Sequence, residues 1–352
     1  MRRFWLLLVN EFRLARTAIP IHIVALAQPT ILYLVMSAIL VHPTFDMNVV
    51  RPTTDKGRAL VAAMEEVGSP IGLPYIRPIL VDWHGEPVVR QVIAVEDRDG
   101  IPTAVQHFGL IDSNLVKNFR NRLTAAALRL WNGELADAGM EILEVPWLAQ
   151  DVPYTVYFGL ALLPLAASLA ASVLGAILTA QEFELGTIME YRLAPAAPLL
   201  VLTARLVRLV ISALLAAGIL LVAVGSVTGA WPSAVWLVGL VLTPVALIAG
   251  CLGTLAGLLL RKVIPAFLVG LVASFVGWLL GSAFGLAAGF GTGYALVSRL
   301  TPGTHAVELI FPRYYGIVTG QPLISAAVLV ALSAVMLVLT VLAYRWRVVR
   351  QG

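Results

Sequence analysis

The chain has 352 residues, of which 59% are hydrophobic and only 12% charged, and its mean hydropathy is +0.89. A soluble domain usually carries about twice that charged fraction, so the composition argues against an ordinary soluble protein and against a nucleic-acid partner. The single cysteine, Cys251, forms no intrachain disulfide, and any domain outside a membrane must fold without covalent staples.

In chain order, residues 1–17 set Phe4, Trp5, Leu8 and Phe12 among charges, the pattern of a cytoplasmic amphipathic helix lying in the membrane interface. An N-terminal extension of the first span is the alternative. A cleavable signal peptide is not expected, because more charge and a full-length span follow Arg2-Arg3 without a small-residue cleavage site. Asp, Glu, Lys and Arg are absent from Thr17–Val41, Thr155–Ala180, Leu209–Leu260, Val263–Ser298 and Tyr314–Tyr344. One crossing needs about 20 apolar residues, and the longest run breaks at Gly225–Pro232. Six spans are therefore predicted, near 19–41, 155–180, 199–224, 234–260, 264–289 and 322–344. The expected fold class is an α-helical polytopic membrane protein with a small mixed α/β extracytoplasmic domain.

That domain is assigned to residues 43–153, between a first span at 18–42 and the remaining spans in 154–352. Lys56–Val67 is predicted helical with Leu60, Ala63, Met64 and Val67 on one side, and Ser113–Trp131 as a second helix. Arg77–Trp83 and Val88–Val95 are predicted strands around a turn at His84–Pro87, and Glu141–Val145 a third. The block holds 10 basic and 15 acidic residues, a net of −5. Of the other 14 basic residues, 12 fall on one side if the spans alternate, and only Arg299 and Arg313 opposite. The positive-inside tendency then places both termini in the cytoplasm, in a multi-pass protein of the cell's inner (plasma) membrane.

Gly277, Gly281, Gly285 and Gly289 recur every four residues within one span and so lie along one helix face, as in small-residue helix packing, either static within the subunit or as a moving or dimer-forming face. The link after the second span, Gln181-Glu182-Phe183-Glu184-Leu185-Gly186-Thr187-Ile188-Met189-Glu190-Tyr191-Arg192-Leu193-Ala194-Pro195, reads as a short helix pinned between two crossings. Its apolar residues call for a partner or the membrane surface to cover them.

Glu184, Gly186, Thr187 and Pro195 match the E-x-G-T…P pattern of ABC-2 type permeases, and the layout of interfacial helix, spans and outer segment resembles that family across the chain. The resemblance implies that residues 181–195 form the coupling helix, with Gln181, Glu182, Phe183, Glu184, Gly186 and Thr187 contacting an ATPase subunit. It also implies two copies of that subunit, a second permease copy or homologous sibling, and membrane lipid as partners, with ATP and Mg bound by the ATPase. The segment near 298–320 would be re-entrant and place Glu308 and Arg313 near an exit gate; a plain Glu308–Arg313 pairing is the alternative. The large outer domain departs from the commonest compact permeases, which have short outer loops, so those permeases are no guide to the substrate.

The three lysines, Lys56, Lys117 and Lys262, never follow glycine, so the chain has no G-x-x-x-x-G-K-[ST] phosphate loop. H-E-x-x-H and G-x-S-x-G are also missing. No catalytic residue, metal or cofactor is expected in this chain. Asp82 with His84, and Glu96-Asp97 with Asp99, read as solvated loop carboxylates rather than a metal site. His22 and Gln28 are the main polar groups of the spans, too few for an ion-coupled transporter, and His22 reads as interfacial. Gln28-Pro29, Pro164 and Thr243-Pro244 mark kinks. The expected function is a permease subunit exporting an apolar or amphiphilic substrate; the alternative is a membrane-tethered sensor or assembly factor acting through residues 43–153.

Overall fold

The computed structural model describes residues 2–15, 19–40, 45–67, 74–85, 91–98, 101–108, 121–130, 154–188, 198–281, 292–316, 318 and 321–350. It is mostly helical and divides into two units: Met1–Ala38 together with Val152–Gly352, and Ile39–Asp151.

The smaller unit is built on a four-stranded sheet. Its strands are β1 (Phe45–Val50), β2 (Ile76–Val81), β3 (Gln91–Arg98) and β4 (Ile101–Phe108), in the spatial order β2-β1-β3-β4. β1 pairs parallel with β2 and β3, and β3 pairs antiparallel with β4 from Gln91↔Phe108 to Arg98↔Ile101. Helix α3 (Asp55–Glu66) makes the crossover between β1 and β2, and the Thr54 hydroxyl accepts from Gly57 N at 3.1 Å to cap its first turn. Met47 and Val49 on β1, Leu60 and Met64 on α3, Ile76 and Ile93 pack into one core. Ala126 joins them from a further helix, α4, at 121–130.

The α3 helix and its buried face follow the sequence prediction, as do β2 and β3 within a few residues. β1 and β4 were not anticipated. Their signals were the apolar alternation of Met47 and Val49, and the Asp99-Gly100 pair between two strand-like runs. Glu96 and Asp97 lie in β3 rather than in a loop, which corrects that reading, and Asp82 pairs with Arg51 at 3.1 Å. The start of the Ser113–Trp131 helix and the strand at Glu141–Val145 lie outside the described residues.

The larger unit contains α1 (Arg2–Ala15), α2 (Ile19–Leu40), α5 (Tyr154–Glu184), α6 (Pro198–Thr228), α7 (Val235–Leu260), α8 (Val263–Leu280), α9 (Thr292–Ser298), α10 (Pro302–Tyr315) and α11 (Pro322–Tyr344). A π-helical turn, Arg345–Arg350, continues α11. Six of these, α2, α5, α6, α7, α8 and α11, are long and apolar enough to cross a membrane, in agreement with the number predicted.

Helix α5 is the axis of the unit, buried along nearly its whole length. Small residues allow that. A Cβ at Gly253 of α7 would overlap the Ser172 carbonyl, one at Gly257 would sit 2.8 Å from the Ala176 carbonyl oxygen, and one at Gly175 3.0 Å from that of Gly250. Backbones this close gain dispersion where the hydrophobic effect between helices is weak. The Ser172 hydroxyl donates to the Gly270 carbonyl of α8 at 3.1 Å, and Trp278 Nε1 to the Ala161 carbonyl at 3.0 Å.

Of the expected glycine ladder, Gly277 and Gly281 are described. Helix α8 ends at Leu280, so Gly277 lies inside it and Gly281 at its C-terminal cap. A Cβ on Gly281 would lie 3.2 Å from Gly303 Cα at the start of α10, whereas one on Gly277 would meet nothing within 4 Å. Gly285 and Gly289 lie outside the described residues. The closest helix packing instead uses α5 and α7, whose mixed Gly, Ala and Ser spacing has no single period.

Helix α1 has three faces. Leu8 and Glu11 are buried towards the bundle, Trp5, Val9 and Phe12 form an exposed apolar stripe, and Arg3, Asn10 and Arg13 face outward beside it. The predicted apolar face is thereby split, with Leu8 inside and Trp5 and Phe12 outside.

Candidate functional site

At one end of the larger unit lie α1, the last turn of α5, the start of α6, the α7–α8 turn and the end of α11. Four ionisable side chains meet there in the interior: Arg205 is 2% exposed, Arg208 1%, Glu11 4% and Glu182 9%. Arg205 Nη1 donates to Glu182 Oε2 at 2.7 Å, and its Nη2 reaches both Glu182 Oε1 and, at 3.3 Å, Glu11 Oε1. Arg208 Nη1 donates to Glu11 Oε2 at 3.1 Å, and its Nη2 lies 2.6 Å from His22 Nε2. An arginine has only donors, so His22 accepts through Nε2 and carries its proton on Nδ1.

Two cations and two carboxylates cancel in net charge. Opposite charges with shared hydrogen bonds are the condition under which such groups tolerate burial. Tyr344 of α11, wholly buried, lies beside Arg205, Glu182 and Glu11. The cluster thus ties α1, α2, α5 and α6 together and abuts α11.

The sequence reading counts Arg205 and Arg208 among the basic residues near span ends, and both do lie near the start of α6. Their burial and their pairing with Glu11 and Glu182 were not foreseen. The available signal was an i, i+3 arginine pair inside the predicted 199–224 span, which puts both side chains on one face, with Glu11 and Glu182 among the few carboxylates outside residues 43–153.

Residues 181–184 are the last turn of α5, not part of a separate helix. No glycine or proline lies between Gly175 and Gly186; at Gly186 φ becomes +73°, the left-handed region in which glycine ends helices. Gly186 N donates to the Phe183 carbonyl at 3.3 Å, and the Thr187 hydroxyl to that of Glu182 at 3.5 Å. Helical backbone resumes at Ile188, and 189–197 lie outside the described residues.

The six residues expected to touch an ATPase have different surroundings. Gln181 is half-buried and Glu182 faces Arg205 inside. Phe183 lies under the Arg261 guanidinium, 5.3 Å from ring centroid to Cζ. Glu184 Oε1 accepts from Val263 N at 2.9 Å, capping the first turn of α8. Gly186 is exposed, Thr187 half-buried, and Leu185 between them is 67% exposed.

At the other end, Glu308 and Arg313 do not pair. They are five residues apart on α10, about 140° around the helix. The Ser325 hydroxyl donates to Glu308 Oε2 at 2.6 Å, while Arg313 is exposed and its carbonyl accepts from Ser233 N at 2.7 Å.

Two adjoining grooves of about 370 and 310 Å³ run between α2 and the α5–α8 pair, and both are lined by Gln28 and Leu169. Pro29 lines one of them, whereas Pro164 lines a separate cavity of about 110 Å³ among α5, α7, α8 and α10. Among the described residues, no group of three or more His, Cys, Asp or Glu side chains is placed to hold a metal.

These features define a mostly helical chain with six helices long and apolar enough for a multi-pass membrane protein, joined to a small α/β unit. No protein-family model matches the chain, and no curated protein matches it.

Proposed function

We propose that the chain is the membrane-spanning permease subunit of an ATP-driven ABC transporter, exporting an apolar or amphiphilic substrate and powered by separate ATPase subunits. The observation that carries this reading is the end of α5. Three consecutive side chains there, Glu182, Phe183 and Glu184, grip α6, the α7–α8 turn and α8, while Leu185 and Gly186 stand exposed immediately beyond. A push on the exposed turn, or on the helical segment that begins at Ile188, is passed directly into the central helix and its neighbours. A coupling element requires that mechanical continuity.

Two such subunits, or one and a homologous sibling, would face each other across the membrane with two ATPase copies beneath. ATP and Mg bind to the ATPases. The basic end lies in the cytoplasm by the positive-inside tendency, which leaves the Ile39–Asp151 unit outside. The substrate path runs over apolar walls such as the groove beside α2, with Gln28 as its polar marker.

The test is a mild-detergent pull-down of the tagged chain from its host. A stoichiometric ATP-binding-cassette subunit is expected, lost on Leu185→Asp with Gly186→Val while the tagged chain stays monodisperse. A well-folded preparation that brings down no ATPase would instead favour a sensor or assembly factor. The separate core of the Ile39–Asp151 unit supports that second reading.

A further inference from the structure

We propose that α1 is a docking face for anionic lipid, its apolar stripe set among the acyl chains and Arg3 and Arg13 on the headgroup phosphates beside it. The inference rests on the long apolar helices lying in a bilayer and not on the transport reading. Trp5, Val9 and Phe12 recur at helical spacing on the outer side of α1. Trp5 is 61% exposed, and Leu6, 63% exposed, widens the stripe towards Arg3 and Asn10. A contiguous apolar surface of this kind marks a contact with membrane or protein.

Charge decides what covers it. Glu11 is the one acidic residue of α1, and it faces inward onto Arg205 and Arg208. Arg3 and Arg13 are exposed, and neither takes part in an ion pair among the described residues. The outer surface of the helix therefore carries charge of one sign only. A second copy seated stripe to stripe would bring like charges together, which disfavours self-association. A zwitterionic leaflet offers apolar depth without net charge. An anionic leaflet supplies both, and it attracts basic side chains held at its surface.

Position agrees with charge. Three residues separate the end of α1 from Ile19, the first residue of α2. Exposed apolar surface begins there, with Ile19, Ile23 and Val24. The end of α11, which abuts the buried cluster through Tyr344, repeats the pattern. Trp346 is exposed, the Arg347 guanidinium lies 4.3 Å from its ring centroid, and Arg345 is exposed alongside. Aromatic rings with basic neighbours at the ends of apolar helices are the anchors of a membrane interface. Among the described residues of this end, Glu184 is the exposed carboxylate, and it is engaged by Val263 N.

The test is electron paramagnetic resonance on the full chain in nanodiscs, with a nitroxide on Val9→Cys in a Cys251→Ala background. Collisions with oxygen, against those with a water-soluble nickel chelate, read the depth of the label. In discs of phosphatidylcholine with phosphatidylglycerol the label is expected below the headgroups, and in phosphatidylcholine alone nearer to water. Arg3→Gln with Arg13→Gln should abolish the difference between the two lipids. A label in water in the anionic discs overturns the proposal. Equal depth in the two lipids does so as well, because the helix would then recognise no headgroup charge. A label shielded from both reagents also overturns it, since a second copy or another chain would be covering the stripe. A lipid difference that persists without the two arginines overturns their assignment. The comparison of the two lipids with Arg3 and Arg13 in place decides by itself if the double variant fails to fold.

Discussion

The Glu182 carboxylate meets the Arg205 guanidinium end-on, each oxygen on one terminal nitrogen, across the gap between the end of α5 and the second turn of α6. Arg205 also reaches Glu11 of α1, so one guanidinium fixes the relative positions of three helices. The pair is inaccessible from outside and neutral only when complete. Its role is therefore to hold an arrangement, and the arrangement held is the one that presents Leu185 and Gly186.

Breaking the pair from one side should be costly. Glu182→Ala leaves Arg205 buried with only part of its compensation, and removal of one partner of a buried pair costs about 3–5 kcal/mol. Thermal unfolding in detergent should show a large loss. The double variant Glu182→Leu with Arg205→Met should lose less than the sum of the single variants. Additive losses would mean that the two side chains do not interact.

Glu184 is expected to behave differently, because its carboxylate is exposed and caps the first turn of α8. Glu184→Ala should cost about 1 kcal/mol, the usual worth of an N-terminal cap. Glu184→Gln, which retains an acceptor, should recover part of that. Equal losses for Glu182→Ala and Glu184→Ala in the same melting assay would contradict the assigned surroundings.

Gly186 has a left-handed backbone and open space around its Cα. The constraint is thus conformational rather than steric, and Gly186→Val should cost about 1–2 kcal/mol. Gly186→Asn should be tolerated better, since asparagine enters that region more readily. If a pull-down recovers an ATPase subunit, Gly186→Val should reduce its recovery more than Gly186→Asn.

Two helix glycines should respond in opposite directions. Gly253→Ala drives a methyl into the Ser172 carbonyl and should force α5 and α7 apart, with a clear loss of thermal stability. Gly218→Ala meets nothing within 4 Å and should be neutral or gain up to about 1 kcal/mol from helix propensity. Similar melting temperatures for the two variants would exclude the close α5–α7 packing.

The sequence alone determined the number of long apolar helices, because a crossing needs an uninterrupted run and charge-free stretches are visible without any partner. It also located α3 with Leu60, Ala63, Met64 and Val67 inward, since a period of 3.6 is a local property. Glu184 and Gly186 were marked as notable, but their immediate tasks, a cap on α8 and a left-handed end to α5, were not readable from their own neighbourhood. Tertiary structure decided what depends on residues distant in the chain. Arg205 meets Glu182 from 23 positions away and Glu11 from 194, and His305 meets Ser325 from the next helix. Periodicity marks the inward face of a helix but not the partner on the facing helix. Those pairings, and the close approach of α5 to α7, are set by which backbones come together in the packed bundle.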